Sequence, residues 1–231
     1  MRLDKYLAHA TGQSRKEVKR ALHQGIVTVN GIATRSSAHK IEQGDDVQLQ
    51  SETISPPRER YIMLNKPLGY VCSNDDPSHP TVSALLVDEI KPEALNIAGR
   101  LDVDTTGLLL LTTDGQWLHK VTSPNHKQNK RYLVETQEKI APQTVALFSK
   151  GVELNNEKHP TKPATLDITG SHMAYLTLIE GKYHQVKRMF AATGNKVTDL
   201  HRDRIGNITL DEDLAPGEYR DLTEQEIAQF K

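Results

Sequence analysis

The sequence predicts an α+β protein in which a small amino-terminal module precedes a larger, mixed and mainly antiparallel domain. The chain has 231 residues, enough for one medium-sized core and a second, small one. Signals for short helices and then short strands occupy residues 1–50, and a polar segment with two prolines follows at 51–60. Over 61–231 the strand and helix signals do not alternate strictly, which favours a mixed sheet over a doubly wound parallel one.

The module begins with two predicted short helices. Leu3 and Leu7 lie at helical spacing, and Gly12 suits the end of the first helix. Ser14 and Glu17 stand three residues apart, which is the spacing of a capping box. The second helix is therefore predicted to begin directly after Ser14.

Short strands and turns complete the predicted module. Gly25 ends the second helix, and a run of Ile-Val-Thr-Val then leads into Asn30-Gly31. An Asn-Gly pair between apolar runs is the strongest short-range signal for a β-hairpin. A further turn at 44–46 leads to another predicted strand that begins at Val47.

Positive charge is concentrated at the amino-terminal end of the chain. Residues 1–40 contain eight Lys/Arg against two Asp/Glu, whereas the remainder contains 21 against 28. This asymmetry favours a nucleic-acid-binding module on an acidic body over a merely solvated basic surface. The predicted contacts in this module are Arg2, Lys5, Arg15, Lys16, Lys19 and Arg20.

Three segments in this order, RLDKYLA, SRKEVKRALHQGIVTVNG and GDDVQL, resemble the RNA-binding module named after the fourth protein of the small ribosomal subunit. The resemblance covers residues 1–50. It implies docking on folded RNA through shape and phosphates, with the basic face of the second helix against the RNA backbone.

The larger domain, 61–231, is predicted to follow a linker at 51–60, because two prolines and polar neighbours do not form a core element. It opens with a strand at Tyr61. Further strands are predicted at 97–101, 108–112, 131–136, 165–168, 174–179 and 208–210. Helices are predicted at 81–87, 115–121, 141–149, 183–193 and 223–230.

The segment GRLDVDTTGLLLLTT, residues 99–113, places a polar loop with two carboxylates directly before an apolar strand. A buried strand of this kind fixes the preceding loop rigidly. If the loop is extended, Arg100, Asp102 and Asp104 point to one side. The residues alone leave open a nucleophile, a general base, a structural ion pair or a turn cap, and the spacing does not choose between the two aspartates.

Most of this segment, GRLDVDTTGLLLLT, resembles the catalytic-aspartate motif of pseudouridine synthases, in the branch whose members act mainly on ribosomal RNA. The resemblance implies that the aspartate after Arg-Leu, Asp102, is catalytic and that Asp104 is a loop residue. It also implies that Arg100 fills the gap left when the target base flips out of its helix.

Three further segments carry the same resemblance. MLNKPLGYVCS resembles the opening strand and turn of the catalytic domain, and KRYLV matches the strand that bears the active-site tyrosine, here Tyr132. EGKYHQVKRMF matches the third motif, whose basic residue is Lys187, beside Arg188 as a further RNA contact. The wider superfamily often has arginine at the position of Lys187, and lysine keeps the charge but loses the bidentate fork.

The implied reaction breaks the N1–C1′ bond of a flipped-out uridine and rejoins the uracil through C5, and it needs no cofactor. Asp102 attacks C1′, attacks the uracil ring or abstracts a ribose proton, and the sequence does not choose among these. The resemblance pairs Lys187 with Asp102. It packs Tyr132 on the uracil, with the hydroxyl placed for the proton that leaves C5.

Other classes of site find less support in the residues. The single cysteine, Cys72, is read as a packing residue, and His184 has no Cys or His partner at zinc spacing, so no metal is predicted. A glycosidase normally needs a second acid at a defined distance, and no second carboxylate matches a motif.

Structured ribosomal RNA is the predicted partner, either 16S ribosomal RNA or a small-subunit assembly intermediate, bound by a monomer. The charged start of the chain lacks the apolar stretch of a secretory signal, which predicts a cytoplasmic protein without a membrane segment. Two alternatives stay open: a sister synthase that acts on large-subunit ribosomal RNA, and a non-catalytic RNA-binding factor for ribosome assembly.

Overall fold

The computed structural model describes residues 1–73, 75–89, 92–123 and 128–230. The chain divides into two compact units, Met1–Glu59 and Arg60–Lys231, which are called here the amino-terminal unit and the catalytic-motif unit. Each unit has a hydrophobic core of its own. Every helix in the described part of the chain is too short or too polar to span a bilayer.

The amino-terminal unit begins with two helices, α1 (Leu3–Thr11) and α2 (Arg15–Gln24). The predicted capping box is confirmed, because the Ser14 side chain accepts from the Glu17 amide and the Glu17 side chain accepts from the Ser14 amide. Gly12 and Gly25 end the helices in the left-handed conformation, as predicted. The two helices pack their apolar sides into one core.

A four-stranded antiparallel sheet completes this unit, in the order β2-β1-β3-β4. The Asn30-Gly31 turn joins the first two strands with φ of 52° and 77°, which confirms the predicted hairpin. The four strands are β1 (Val27–Val29), β2 (Ile32–Ala33), β3 (Val47–Leu49) and β4 (Glu52–Thr53).

Strand β4 corrects the interpretation of 51–60 as a linker without core elements. Glu52–Thr53 pairs with β3, and the Tyr6 hydroxyl donates to the Ile54 carbonyl at 2.8 Å. Ile54 also packs against the core of the amino-terminal unit. The polar residues of β4 belong to a sheet edge, where side chains can stay exposed while the backbone pairs.

The catalytic-motif unit is built on nine strands. They are β5 (Tyr61–Lys66), β6 (Asn96–Ala98), β7 (Thr106–Thr112), β8 (Lys130–Thr136), β9 (Thr165–Ile168), β10 (Met173–Leu178), β11 (Val197–Ile205), β12 (Ile208–Thr209) and β13 (Tyr219–Asp221). The helices are α3 (Gly115–Thr122), α4 (Gln143–Lys150), α5 (Gln185–Ala191) and α6 (Glu224–Ala228), with 3₁₀ turns η1 (Val82–Leu85) and η2 (Pro92–Ala94).

The nine strands form one sheet in the order β13-β5-β7-β11-β8-β10-β9, with β6 paired to β7 and β12 paired to β11. Among the described residues, β7 and β11 are the one parallel pair, and the other pairings are antiparallel. The predicted mixed, mainly antiparallel sheet is therefore confirmed.

In the described part of this unit, two strands were not predicted, and one predicted helix differs. The predicted helix at 81–87 is the 3₁₀ turn η1, and strands β11 and β13 lie where no strand was expected. Strand β11 has the sequence VTDLHRDRI, in which charged residues interrupt the regular alternation of apolar and polar side chains that predicts a strand. Such an interrupted pattern is expected in a central strand that supplies polar side chains to a functional site.

Strand β7 is buried on both faces and fixes the loop before it. Leu108 and Leu110 pack into one core with Trp117, whereas Leu109 and Leu111 pack into a second core. Because successive side chains of a strand point to opposite faces, these cores lie on the two sides of the sheet. The predicted buried strand after the carboxylate loop is confirmed.

A glycine allows β7 and β11 to approach closely. Gly107 has φ of 102°, and an added Cβ would lie 2.2 Å from the carbonyl oxygen of Arg202. Since no side chain fits in that gap, the position requires glycine. This close approach brings Arg202 beneath the loop that precedes β7.

Candidate active site

The loop between β6 and β7 carries the two candidate carboxylates. It is not extended at Asp104, because the Thr105 amide donates to the Asp102 carbonyl at 3.1 Å and closes a turn. The loop is thus not extended here, although Asp102 and Asp104 both face the same lysine, Lys187. The Asp102 side chain is 33% exposed and that of Asp104 is 64% exposed, so Asp102 lies deeper.

Arg202 holds this loop from the interior of the protein. It is only 1% exposed, and its Nε donates to the Leu108 carbonyl at 2.9 Å while Nη2 donates to the Gly99 carbonyl at 3.1 Å. Nη1 lies 3.5 Å from the Arg100 carbonyl. The sequence interpretation missed Arg202, because its neighbours in β11, His201 and Asp203, are polar and give no sign that this arginine is buried.

A second buried cation supports the other end of the loop. Lys66 is fully buried, and its Nζ donates to the carbonyls of Thr105 at 2.8 Å and Pro67 at 3.0 Å. Burial lowers the pKa of Lys66. Cys72 accepts from the Leu101 amide at 3.3 Å, and burial raises the pKa of its thiol, which agrees with a packing role.

Lys187 lies between the two aspartates. Its Nζ hydrogen-bonds to Asp104 and lies 3.8 Å from Asp102 Oδ2. Burial by itself raises the pKa of Asp104, but the hydrogen bond and the charge of Lys187 outweigh it and lower that pKa. The expected ion pair of Lys187 with Asp102 is present, and the hydrogen bond from Lys187 to Asp104 is an additional contact that was not predicted.

His184 is a further neighbour of Asp102 that was not predicted. Its Nε2 lies 3.5 Å from Asp102 Oδ1. Its backbone has φ of 47°, in the left-handed region that L residues rarely adopt. This strained position directs the ring toward the carboxylate, and the only signal in the sequence was its place three residues before Lys187.

A cavity of about 650 Å³ brings the predicted catalytic residues together. Asp102, Tyr132 and Lys187 all line it, and so does Arg100, which is exposed. The Arg202 guanidinium lies 6.0 Å from the centroid of the Tyr132 ring. Apolar side chains from β10, β11 and α5 complete the wall, so the cavity suits a flat aromatic ligand with a few polar groups.

The other predicted RNA contacts differ in their surroundings. Arg15, Lys16, Lys19 and Arg20 are exposed on α2, and Lys5 is exposed on α1. Arg2 is exposed and pairs with Asp4 at 2.7 Å. Arg188 donates to Glu157 and to the Tyr183 carbonyl, each at 3.0 Å, and also to the Asn155 carbonyl, so the protein itself engages its guanidinium.

Acidic and metal-ligating side chains are sparse around the cavity. Within the described ranges, no group of three or more His, Cys, Asp and Glu side chains could hold a metal ion. Cations prevail instead, since Lys130 and Lys162 line the cavity together with Arg100 and Lys187. Burial lowers the pKa of Lys130. Such a lining favours a polyanionic ligand such as RNA.

This fold and site agree with sequence models of known families. Residues 60–192 match the family described as RNA pseudouridylate synthase, and residues 1–47 match the S4 domain. The chain belongs to the RNA pseudouridylate synthase family. It is an RNA pseudouridine synthase, an isomerase of uridine in RNA, with an S4 domain before its catalytic domain.

Curated relatives extend over almost the whole chain. Ribosomal small subunit pseudouridine synthase A of Escherichia coli (strain K12) is 54% identical, with 99% of each chain covered. The proteins of the same name from Yersinia pestis and Vibrio cholerae serotype O1 are 53% and 52% identical, with 99% of this chain and 97% and 98% of theirs covered. A solved structure described as "Crystal structure of pseudouridylate synthase" is 46% identical, with a TM-score of 0.73 and 100% of both chains covered.

Proposed function

We propose that this enzyme converts a specific uridine of small-subunit 16S ribosomal RNA to pseudouridine, with Asp102 as the catalytic residue. The observation that carries the proposal is the position of Asp102 at a cavity shared with Tyr132 and Lys187. The names of the relatives, each covered almost completely, support the small ribosomal subunit as the source of the RNA.

The target uridine enters the cavity by leaving its helix. While the base is stacked, its C5 atom and the C1′ atom of its ribose are out of reach, so the nucleotide must flip into a pocket. A cavity of about 650 Å³ is within the usual range for a small-molecule site. Arg100 is exposed at its edge and fills the gap that the flipped base leaves.

Asp102 then acts on the bound nucleoside. The N1–C1′ bond breaks, the uracil turns, and a C5–C1′ bond forms while C5 loses a proton and N1 gains one, so the atoms balance without a cofactor. Attack at C1′, attack on the ring and abstraction of a ribose proton are all compatible with this position. Lys187, whose Nζ lies 3.8 Å from Asp102, stabilises the negative charge of the carboxylate, and the His184 ring lies beside it at 3.5 Å.

Tyr132 packs on the uracil face, and its hydroxyl serves the proton that leaves C5. Tyr132→Phe keeps the ring and removes the hydroxyl, so it slows turnover by about 100-fold or more while RNA affinity stays near that of the wild type. Single-turnover conversion measured beside a filter-binding curve checks this. A Tyr132→Phe enzyme as fast as the wild type contradicts the proton role.

The amino-terminal unit holds the RNA through its phosphates. Lys5 and the exposed cations of α2 supply the charge for this contact. The enzyme works as a monomer in the cytoplasm, on free 16S ribosomal RNA or on an assembling small subunit.

Two transcripts test the proposal. The enzyme is incubated with small-subunit and with large-subunit ribosomal RNA transcripts, and pseudouridines are mapped in both. The expected result is one converted uridine in the small-subunit transcript. Conversion in the large-subunit transcript alone identifies a sister synthase, and conversion in neither contradicts the proposed substrate.

A further inference from the structure

Two aromatic rings form a stacked pair at the edge of the catalytic cavity. Tyr183 and His184 have ring centroids 3.8 Å apart and an interplanar angle of 18°. Tyr183 is 75% exposed, one of the most exposed large side chains that the structure describes. Both residues line the cavity that contains Asp102. One face of the Tyr183 ring is therefore covered by His184, and the other face is open to solvent.

The backbone beneath the pair is held firmly. Gln185 is 4% exposed, accepts from the Lys182 amide at 2.8 Å and donates to Glu180 at 2.8 Å. Arg188 donates to the Tyr183 carbonyl at 3.0 Å. Together with the left-handed backbone of His184, these hydrogen bonds fix the position of the Tyr183 ring, although this ring is not part of a hydrophobic core. A rigid, exposed ring is preorganised for stacking.

Two of the cations beside the pair are already engaged within the protein. Lys182 and Arg188 both bond to Glu157, at 2.9 and 3.0 Å. Among the described residues, the Tyr183 hydroxyl has no hydrogen-bond partner. The group that the stacked pair itself offers to a ligand is therefore the open face of the Tyr183 ring.

We propose that Tyr183, backed by His184, is a subsite that stacks the base of a nucleotide adjacent to the target uridine. The inference rests on the proposed function, because it needs the target to bind at Asp102. His184 lies 3.5 Å from that carboxylate, and the nucleotides beside the target are covalently joined to it, so one of them must lie near this edge. Stacking on an aromatic ring is sequence-tolerant and favours unpaired RNA next to the target.

Tyr132 and Tyr183 then have separate roles. Tyr132 is half-buried within the cavity and contacts the target base, whereas Tyr183 contacts its neighbour outside. Loss of Tyr183 should weaken binding of RNA and leave the rate of the bound complex almost unchanged.

The test measures binding, KM and kcat on the small-subunit transcript for the wild type, Tyr183→Ala and Tyr183→Phe. Val87→Ala is the control, because the Val87 side chain is also highly exposed, at 80%. Tyr183→Ala should weaken binding and raise KM by about 5- to 150-fold, while kcat changes less than about twofold. Tyr183→Phe and Val87→Ala should stay within about twofold of the wild type. Because the lost contact is not ionic, the salt dependence of binding should keep its slope.

RNAs that lack one neighbouring base identify which base stacks on Tyr183. Once the converted uridine is mapped, RNAs with an abasic site on its 5′ or 3′ side are bound by wild type and by Tyr183→Ala. One abasic site should weaken wild-type binding as much as the alanine does and should have no further effect on the alanine variant. The subsite is overturned if Tyr183→Ala binds RNA as tightly as the wild type. It is also overturned if the abasic sites on both the 5′ and the 3′ side weaken binding of Tyr183→Ala as much as they weaken binding of the wild type. A wild-type enzyme that converts no uridine in this transcript overturns the proposed function instead.

Discussion

The two units of the chain use positive charge in opposite ways. In the amino-terminal unit the basic side chains of α2 are exposed to solvent. In the catalytic-motif unit Lys66 and Arg202 are buried, and they donate to the backbone carbonyls of the loop that carries Asp102. Exposed cations are accessible to phosphates, whereas buried cations fix the position of the loop that carries a carboxylate.

The difference separates RNA affinity from catalysis. Exposed cations act through the release of counterions, so their effect depends on salt. Buried donors act through short hydrogen bonds in a region of low dielectric, where salt screens little. Substitutions in the two groups should therefore change different quantities.

Arg202→Met should give the largest effect. It leaves the Gly99 and Leu108 carbonyls without their donor, so the unit that contains them should lose about 2–4 kcal/mol of unfolding free energy. The loop also loses its position, and turnover should fall by about 100-fold. Urea unfolding followed by fluorescence measures this unit specifically, because Trp117 is the single tryptophan and is buried in its core.

Arg15→Met is the matched control for Arg202→Met. Arg15 is exposed on α2, so the same change there should alter stability by less than about 0.5 kcal/mol. If both variants lose the same stability, the contrast between buried and exposed cations is wrong.

Replacing Arg15, Lys16, Lys19 and Arg20 with Gln should weaken RNA binding and leave the folded catalytic-motif unit intact. If three or four of them touch phosphates, the slope of log affinity against log salt should flatten by about 2–3.5 units. Binding curves at several salt concentrations measure the slope, and saturating RNA should restore the turnover rate.

Exposed lysines of the catalytic-motif unit give the control for this set: Lys139, Lys150 and Lys158. Their replacement with Gln should change the slope less. An unchanged slope in the α2 variant would show that this face does not bind RNA.

Lys187→Ala should have a smaller effect. It removes a charge-assisted hydrogen bond beside Asp102, the proposed catalytic residue, so turnover should fall by about tenfold or more. The two largest causes that lower the pKa of Asp104 are then gone, so this pKa should rise, which a carbon-detected NMR titration measures. An unchanged Asp104 pKa together with a normal rate would show that Lys187 is only a surface residue.

The pH dependence of the free energy of unfolding should reflect the ion pair between Asp104 and Lys187. The folded state lowers the pKa of Asp104, so the stability from its pairing with Lys187 is present above about pH 4 and is lost as the pH falls through the folded pKa. Acid should therefore reduce the stability of the wild type more than that of Lys187→Ala.

The helix ends and turns of the amino-terminal unit could be predicted because their signals act over a few residues. Ser14, Gly25 and the Asn30-Gly31 turn each determine a local backbone conformation. Strand β11 could not be predicted in this way. Its pairing with β7 and β8 involves distant segments, and its polar residues conceal the strand pattern.

In the candidate site, too, local sequence predicted some features, whereas others depend on contacts between distant segments. Asp102, Tyr132 and Lys187 were identified by their motifs, and they do line one cavity. The contacts of Arg202 with the loop and of His184 with Asp102 were not predicted, since they depend on how distant parts of the chain pack. The motifs thus indicated residues that meet at one cavity, but the contacts that support them could be found only from the fold.

The central claim is that Asp102, rather than its neighbour Asp104, carries the chemistry. Pseudouridine yield on the small-subunit transcript, measured beside RNA affinity for the two matched amides, tests it most directly. Asp102→Asn should abolish conversion and keep near-normal affinity, because an amide is neither nucleophile nor base. Asp104→Asn should stay largely active, since Lys187 remains 3.8 Å from Asp102. Conversion by Asp102→Asn, or its loss in Asp104→Asn alone, would contradict the account.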